Sequence, residues 1–499
     1  MKSLGIVGFG AYIPRLRLER QAIAEAHAWF NPALKSAAKG TRAMACWDED
    51  VVTMGVEAAR RCMNSCEGVP AINVVMLAST THPFADRQNS VMVKEAVNLP
   101  DTTRTVDLAG GRRAGMAALL SALSSAGTQQ GHTLCIASEK CHTRPASEAE
   151  MEAGDGAAAL LVGTERVVAR LLGSHSVSVD FVDKFRASGS EFEYSWESRW
   201  VREEGYGKIA VNSVRAALAG CNLDPQDIKH FAMPVSMPGG AARVARALGI
   251  PAPSVGDDLQ TQIGSVGAAQ PLLLLARCLE RASPGEKIVV VGFGQGCDVV
   301  IFEATEELAA RADRPGLAAD LAQGKRTTNY LQYLVFNNLL DIDRGMRAEM
   351  DQKTALTSLY RDRKTVLGLV GSRDPRSGKK QFPRSEISVH PDTEVGTVME
   401  DYPFADKLSR IVTFTADRLA DSINPPSYYG IIEFDGGGRM VAEFADLDGD
   451  DLVVGREMCM RFRIKALDEQ RGFVRYFWKA TPLRSWSGEH VRPAGDSNG

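Results

Sequence analysis

The chain has 499 residues, 44% of them hydrophobic, and its 58 lysines and arginines against 62 aspartates and glutamates give a net charge of −4. A chain of this length is expected to bury more than one core, in two or three domains. The balanced charge lacks the basic excess of proteins that bind nucleic acids or anionic membranes, which favours small molecules or proteins as partners. The opening residues lack a signal-peptide pattern and no apolar run would span a bilayer, so we expect a cytoplasmic protein.

Residues 1–307 are predicted to form one large layered domain. Runs typical of buried strands alternate there with alanine- and leucine-rich helical stretches; they lie at 73–78, 133–137, 157–162 and 287–291. This alternation indicates an α/β fold. A strand with Gly-Phe-Gly occurs both at 5–14 and at 288–304, which hints that two similar halves were joined.

The remaining chain divides into a connector, a small barrel and a tail. Residues 308–370 are polar and helical, with an apolar stripe predicted to dock on the large domain; it comprises Tyr330, Leu331, Tyr333, Leu334 and Phe336. Five short alternating runs within 371–484 predict an antiparallel barrel of the OB-fold type. Its aromatic residues Tyr476, Phe477 and Trp478 are core or a ligand platform, and alternation favours core. The tail, 485–499, is expected to be flexible.

Five segments resemble the motifs of 3-hydroxy-3-methylglutaryl-CoA (HMG-CoA) synthases and their ketoacyl-synthase III relatives, in the same order. They are 47–54 (WDEDVVTM), 77–83 (LASTTHP), 113–119 (RAGMAAL), 154–159 (GDGAAA) and 291–296 (VGFGQG). The resemblance implies a five-layered thiolase-like fold of two pseudo-symmetric halves, a coenzyme A thioester as ligand and a homodimer. The last third resembles OB-fold proteins that accompany thiolase-like enzymes, so the chain looks like a fusion of both.

The resemblance also implies that the usual catalytic residues are missing. The family's nucleophilic cysteine, at the start of a helix, is matched by Arg112, which has no lone pair with which to form an acyl-enzyme. Its general-acid glutamate is matched by Thr80 and its histidine by Ala232, and neither moves a proton near neutral pH. Its asparagine is matched by Ser265, which still donates a hydrogen bond. The loop with Gly294 and Gly296 lines the family's active site and is expected to contact coenzyme A.

Arg112 and Arg113 place two cations at a predicted helix N-terminus, where each costs roughly 0.3–1 kcal/mol unless an anion compensates. A bound carboxylate or coenzyme A phosphate would explain the pair, and so would an internal salt bridge, which is the commoner case.

Four other residues are candidates for catalysis. Cys141 follows a buried strand beside His142, and the neighbouring Lys140 would favour its thiolate. Successive strand residues point to opposite faces, however, so a buried structural thiol is favoured for Cys141 and also for Cys297. His82 is an acid or base, or more simply a hydrogen-bonded structural histidine.

No metal is predicted. Relatives of the barrel begin with a zinc ribbon of two Cys-x-x-Cys pairs, and the matching positions here carry Asp374, Ser377, Ser388 and Pro391. Tetrahedral zinc needs thiolate or imidazole ligands, which these residues do not supply.

Two functions remain open from the sequence. One is an enzyme that makes or breaks a carbon–carbon bond beside an acyl-CoA thioester without an acyl-enzyme, as in retro-aldol cleavage, with Arg112, Arg113, Ser265 and His82 or a tyrosine stabilising an enolate. The other is a non-catalytic subunit that binds coenzyme A or scaffolds an active thiolase-like paralogue in a hetero-oligomer.

Overall fold

The structure, a computed structural model, describes residues 3–66, 68, 71–128, 131–309, 316–349, 351, 353 and 355–484. The predicted tail, 485–499, lies outside the described residues. The strands are β1 Gly5–Tyr12, β2 Leu16–Glu19, β3 Thr41–Met44, β4 Ile72–Ala78, β5 Arg104–Leu108, β6 His132–Glu139, β7 Gly156–Gly163, β8 Ala169–Ser178, β9 Lys184–Phe185, β10 Tyr194–Ser195, β11 Ile228–Ala232, β12 Lys287–Phe293, β13 Gly296–Ala304, β14 Lys325–Thr327, β15 Val370–Arg373, β16 Lys380–Gln381, β17 Glu400–Pro403, β18 Ser409–Asp417, β19 Ser427–Phe434, β20 Arg439–Glu443, β21 Glu457–Asp468 and β22 Phe473–Pro482.

The α-helices are α1 Arg20–His27, α2 Val51–Asn64, α3 Asn89–Ala96, α4 Ala114–Thr128, α5 Glu148–Glu152, α6 Ser198–Trp200, α7 Val211–Gly220, α8 Gly240–Leu248, α9 Gln270–Leu279, α10 Glu306–Ala309, α11 Leu317–Ala322, α12 Tyr330–Phe336, α13 Leu356–Arg361 and α14 Arg363–Gly368. A π-helical stretch, Val201–Ala210, leads into α7. Among the described residues, no helix is long and apolar enough to cross a membrane.

A nine-stranded mixed sheet organises the large domain, in the order β11-β12-β13-β8-β1-β7-β6-β4-β5. Its two ends repeat one topology: β4-β6-β7-β1 corresponds to β11-β12-β13-β8, each with one parallel pair followed by two antiparallel pairs. Pairing of β1 with β8 joins the two halves. The predicted α/β fold of two similar halves is confirmed.

The Gly-Phe-Gly repeat that suggested two halves does not mark equivalent positions. Gly8 and Gly10 lie inside β1, whereas Gly294 lies in the turn between β12 and β13, and β1 corresponds to β8. The glycines also serve different needs. A Cβ at Gly10 would lie 2.4 Å from the backbone nitrogen of Cys62 in α2, while Gly294 adopts a φ of +151°. The two Gly-Phe-Gly segments therefore meet different structural requirements, although the two halves of the domain do share one topology.

Five layers follow from the alternating faces of the strands. Val74 and Met76 of β4 belong to a core shared with α4 and α9, which pack between the two halves. Val75 and Leu77 face the opposite way, into a core with α2 and α3. Helices α7 and α8 cover the outside of the second half. The two halves of the nine-stranded sheet thus supply two sheet layers, and the order is helix, sheet, helix, sheet and helix, as the resemblance implied.

The connector docks on the large domain largely as predicted. Tyr330, Tyr333 and Phe336 of α12 are buried in a core with α1 and β3. Leu331, predicted to belong to the same stripe, is 64% exposed because it lies on the outer face of α12. The connector also contains a strand, β14, which pairs in parallel with β2.

The five strands predicted near the carboxyl end are all present. They form the sheet β20-β19-β18-β21-β22, and a bridge between Phe444 and Ala480 brings its two edges together. Tyr476 and Trp478 are buried and Phe477 is partly buried in the core of this sheet. The interpretation of these aromatics as core is confirmed.

A row of acidic residues in the large domain meets basic residues and a tyrosine of this five-stranded barrel. We call this the charged interface; its pairs are Asp48–Lys479 at 2.9 Å, Glu49–Arg463, Asp50–Tyr476 at 2.6 Å and Glu57–Arg461. All four acidic side chains are less than 10% exposed. The segment 47–54, which carried part of the family resemblance, therefore also anchors the barrel.

The segment matched to the zinc ribbon is organised around a carboxylate. Asp374 Oδ2 accepts hydrogen bonds from Ser377 Oγ and Ser388 Oγ, both at 2.7 Å, and from Thr393 Oγ1. The backbone N–H of Arg376 donates to Oδ1 at 2.9 Å. Within the described ranges, no group of three or more histidine, cysteine, aspartate or glutamate side chains could hold a metal ion. Hydrogen bonds to Asp374 thus join its own turn to Ser388 and Thr393.

Candidate active site

A pocket opens where the carboxyl ends of the parallel strands β4 and β6 meet the start of α4. Ligand sites are common at this edge of α/β sheets. The pocket encloses about 570 Å³, including its open mouth. Its lining comprises Thr80, Thr81, Arg112, Glu139, Cys141, His142, Thr143, Ala149, Glu152, Ala153, Lys184, Arg186, Glu193, Ser236, Ser265 and Gly267. Five predicted site residues, Thr80, Arg112, Cys141, His142 and Ser265, thus lie together.

Arg112 lies at the start of α4 and points into the pocket. Its Nη2 is 3.0 Å from Glu193 Oε2. Burial opposes its charge, but Glu193 and Asp183 together outweigh burial and raise the pKa of Arg112. A Cβ at Gly294 would lie 3.4 Å from Arg112 Cβ, so the predicted glycine loop packs beside this arginine. Gly294 and Gly296 nevertheless lie outside the pocket lining.

Arg113 does not join Arg112 in the pocket, so of the two explanations the less favoured one, an anion held by both arginines, does not fit the structure. Its Nη1 lies 3.2 Å from Asp298 Oδ1 and donates to the carbonyl of Val177 at 3.1 Å. Asp298 and Val177 belong to β13 and β8, which draw the side chain away from the pocket. The alternative of an internal salt bridge is correct for Arg113.

Glu139, at the end of β6, is the central acidic group of the pocket and was missed as a candidate. Its Oε1 accepts hydrogen bonds from Thr80 Oγ1 at 3.0 Å and Thr81 Oγ1 at 2.5 Å. Its Oε2 accepts from the backbone N–H of Ala268 at 3.2 Å. Burial raises the pKa of Glu139 above its ordinary 4.5, although these hydrogen bonds oppose the rise. Glu139 therefore holds a proton more readily than an exposed glutamate.

Neither of the two candidate thiols, Cys141 and Cys297, is activated. Cys141 Sγ donates to the carbonyl of Ser265 at 3.7 Å, and the structure shows no bond from this thiol to His142 among the described residues. Burial and the nearby Glu139 raise the pKa of Cys141 well above its ordinary 9.0. Cys297 is fully buried, and burial raises its pKa to about 12. Both thiols are therefore protonated at neutral pH.

Other predicted residues take structural positions. His82 Nε2 lies 3.3 Å from the carbonyl oxygen of Leu108, and His82 is outside the pocket lining. Ala232, at the end of β11, lines a second pocket with His230 and Cys278. Ser265 contributes to the main pocket, and its carbonyl also accepts a hydrogen bond from the N–H of Gly154 at 2.9 Å.

A short hairpin, β9–β10, covers one side of the pocket. Lys184 Nζ lies 3.9 Å from Glu152 Oε2, and Glu193, the residue before β10, pairs with Arg112. Arg186 Nη2 donates to the carbonyl of Thr80 at 2.5 Å, which ties the hairpin to the loop after β4. Phe185, which lies between the two basic residues, is 52% exposed. This alternation around a glycine- and serine-containing turn is the sequence signal that predicts such a hairpin.

Comparisons with known proteins point in one direction, although no family model matches the chain. Hydroxymethylglutaryl-CoA synthase of Pyrobaculum neutrophilum is 29% identical over 356 residues, which cover 68% of this chain and 99% of the relative. The synthase of Pyrococcus furiosus is 28% identical over 346 residues, with coverages of 67% and 95%. About a third of this chain thus has no counterpart in either relative.

Solved structures show the same fold. MvaS in complex with 3-hydroxy-3-methylglutaryl coenzyme A has a TM-score of 0.57 and 20% identity, with 68% of this chain and 93% of MvaS covered. The 3-oxoacyl-(acyl carrier protein) synthase III FabH of Pseudomonas aeruginosa has a TM-score of 0.55 and 20% identity, covering 61% of this chain and 98% of FabH.

Proposed function

Because the chain is a thiolase-superfamily protein of the HMG-CoA synthase-like and ketoacyl-synthase III-like type, we propose that its pocket binds an acyl-CoA thioester. We further propose that it breaks or forms the carbon–carbon bond beside that thioester without a covalent acyl-enzyme. The observation that carries this proposal is Glu139, a buried carboxyl group that lines the pocket and has a raised pKa. Raised carboxyl pKa values are typical of groups that exchange protons with a ligand.

We expect no acyl-enzyme, because neither of the two side chains placed to form one is a nucleophile. Arg112, at the helix start that the resemblance assigns to the nucleophile, is a cation with no lone pair. Cys141, the thiol that lines the pocket, is held protonated by burial and by Glu139. Since thiolates rather than thiols attack thioesters, the thioester is expected to remain intact.

Retro-aldol cleavage fits these groups and needs no further reactant. The Glu139 carboxylate accepts the proton of a 3-hydroxyl group, the C–O bond becomes a carbonyl, and the C2–C3 bond breaks. Its electron pair passes into the thioester enolate, and Glu139 returns the proton to C2. The Arg112 guanidinium and the Ser265 hydroxyl, which share the pocket, would stabilise the enolate oxygen. The reverse sequence forms the bond.

The experiment is incubation with 3-hydroxybutyryl-CoA and 3-hydroxy-3-methylglutaryl-CoA, followed by mass spectrometry of acetyl-CoA and of the intact protein. We expect acetyl-CoA without a protein adduct, and we expect Glu139→Gln to lower its rate at least about a hundredfold. Glu303→Gln, which alters an exposed ion pair with Arg170, is the matched control. An acetylated protein, or full activity of Glu139→Gln, would refute the mechanism.

The second candidate is a non-catalytic subunit that binds coenzyme A or scaffolds an active thiolase-like paralogue. The Arg112–Glu193 ion pair favours it, because it fills the helix start with two of the chain's own side chains. Calorimetric binding of free coenzyme A without any cleavage would support this candidate. Mass measurement in solution would test the expected homodimer.

We also infer that the carboxy-terminal barrel is an OB-fold. Numbered from β18 as the first strand, its order is 3-2-1-4-5, and the bridge between Phe444 and Ala480 joins the third and fifth strands in parallel. This closure supports the inference, because the OB-fold is a five-stranded, partly open barrel.

A further inference from the structure

The hydrogen bonds that Glu139 accepts leave no lone pair for a ligand. Its Oε1 accepts from Ser79 Oγ at 3.1 Å, Thr80 Oγ1 at 3.0 Å and Thr81 Oγ1 at 2.5 Å. Its Oε2 accepts from the backbone N–H of Ala268 at 3.2 Å, and the N–H of Thr80 lies 3.2 Å from both oxygens. A carboxylate offers about four lone-pair positions, and these donors fill them. A proton from a ligand therefore reaches Glu139 through one of the three hydroxyl groups that already touch it.

Thr80 is the one of these three residues whose hydroxyl is open to the pocket. Ser79 is fully buried and lies outside the pocket lining. Thr81 lines the pocket, but its Oγ1 accepts a hydrogen bond from the N–H of Lys140 at 3.4 Å and lies 3.4 Å from Ser79 Oγ. Thr80 also lines the pocket, and within the described part of the chain its Oγ1 makes a single hydrogen bond, which it donates to Glu139. The lone pairs of Thr80 Oγ1 are therefore available to a ligand hydroxyl.

The backbone of Thr80 is held on both sides, which orders this hydroxyl before a ligand binds. Its N–H donates to Glu139, and its carbonyl accepts a hydrogen bond from Arg186 Nη2 at 2.5 Å. Groups that are already in place transfer a proton without a further loss of conformational freedom. The end of β4, which carries Thr80, and the end of β6, which carries Glu139, thus form one preorganised unit.

We propose that Thr80 is a catalytic relay, whose hydroxyl accepts the proton of the ligand's 3-hydroxyl group while it passes its own proton to Glu139. The O–H bonds of the ligand and of Thr80 break as new O–H bonds form on Thr80 and on Glu139. Threonine does not ionise near neutral pH, so the two transfers occur together and Thr80 ends unchanged. The reverse shift delivers the proton to C2 of the enolate. The inference rests on the proposed function, since it assigns a further residue to the same cleavage.

The test compares matched variants of the two pocket threonines in the cleavage of 3-hydroxybutyryl-CoA. Thr80→Val removes the hydroxyl and keeps the shape of the side chain, and it should lower kcat about a hundredfold. It should raise KM by less than about tenfold, because one neutral hydrogen bond to the ligand is lost. Thr80→Ser keeps the hydroxyl and should stay within about fivefold of the wild-type kcat. Thr81→Val is the control, since it also removes one hydroxyl from Glu139 Oε1.

The pH profile of kcat distinguishes a relay from a residue that only holds Glu139 in place. Both valine variants remove a hydrogen bond that favours the ionised carboxylate, so both should raise the pKa of Glu139. The acidic limb of the profile should therefore move to higher pH in both. Above that limb, Thr81→Val should return to within about fivefold of the wild-type rate, whereas Thr80→Val should remain about a hundredfold slower.

The outcomes separate the relay from the proposed function. If Thr80→Val cleaves the thioester at the wild-type rate above the acidic limb, the relay is wrong while the proposed function stands. Equal losses in Thr80→Val and Thr81→Val, or a Thr80→Ser variant as slow as Thr80→Val, would also refute the relay. If the wild-type chain cleaves no thioester, the proposed function fails and the relay fails with it. Circular dichroism of each variant checks that the chain is folded.

Discussion

Glu57 allows a quantitative prediction for the charged interface, because its stabilising partners can be read from the structure. Its side chain is 1% exposed. Oε1 accepts hydrogen bonds from Arg60 Nη1 at 2.9 Å and from the N–H of Phe462 at 3.2 Å, and Oε2 pairs with Arg461 Nη1. Burial opposes ionisation, but Arg60 and Arg461 outweigh it and lower the pKa of Glu57 from 4.5 to about 2.

The lowered pKa sets both the size and the pH dependence of the effect. At about 1.4 kcal/mol per pKa unit, the ionised carboxylate contributes about 3 kcal/mol to the free energy of unfolding. The contribution is complete above pH 4.5 and is lost as the pH falls toward 2. Glu57→Gln should therefore cost about 3 kcal/mol at pH 7 and about 2 kcal/mol at pH 3.5.

Urea unfolding followed by tryptophan fluorescence measures this loss. Trp478 is fully buried, and the Arg60 guanidinium lies 4.9 Å from its ring centre, so its emission reports on this interface. Glu433→Gln is the matched control, since Glu433 pairs with Arg439 at 3.0 Å on the barrel surface and should cost less than about 1 kcal/mol. The role assigned to Glu57 is wrong if both variants lose the same free energy of unfolding at pH 7. It is also wrong if the loss caused by Glu57→Gln is no smaller at pH 3.5.

Two further predictions concern the segment around Asp374 and the pocket thiol. Treatment with a zinc chelator should leave the melting temperature unchanged, whereas Asp374→Ala should lower it, because three hydroxyls and two backbone N–H groups lose their acceptor. Hydrogen bonds, first that of Thr393, lower the pKa of Asp374. The stability that the ionised Asp374 contributes should therefore be present above pH 3.8 and be lost in stronger acid. Iodoacetamide should alkylate Cys141 slowly at pH 7.5, because burial raises its pKa, and peptide mass spectrometry would show rapid modification if the thiol were instead a nucleophile.

Several parts of the fold could be predicted because their signals are local. Alternating apolar positions located the five strands of the barrel, and the 113–119 segment placed Arg112 at a helix start. Burial of Tyr476 and Trp478 followed from the same alternation. The equivalence of the two Gly-Phe-Gly segments was wrong because a short motif does not distinguish a glycine under a crossing helix from one in a turn.

The site was only partly predictable because its charges pair over long sequence distances. Glu139 and Glu193 could be seen as acidic residues, but nothing in the sequence says that one contacts Thr80 and the other Arg112. Arg113 has the same side chain as its neighbour, yet Asp298, far along the chain, turns it away. Long-range pairs of this kind decide which adjacent charge enters a pocket.

The charged interface also determines how the barrel can dock. Arg461 and Arg463 lie two residues apart on β21, so they share one face, and Phe462 between them points into the barrel core. A shift of the folded barrel along β21 would move both arginines away from Glu57 and Glu49. Each neighbouring arrangement would therefore leave buried charges without partners. The barrel is expected to accept one orientation and to reject thiolase-like surfaces that lack these acidic residues.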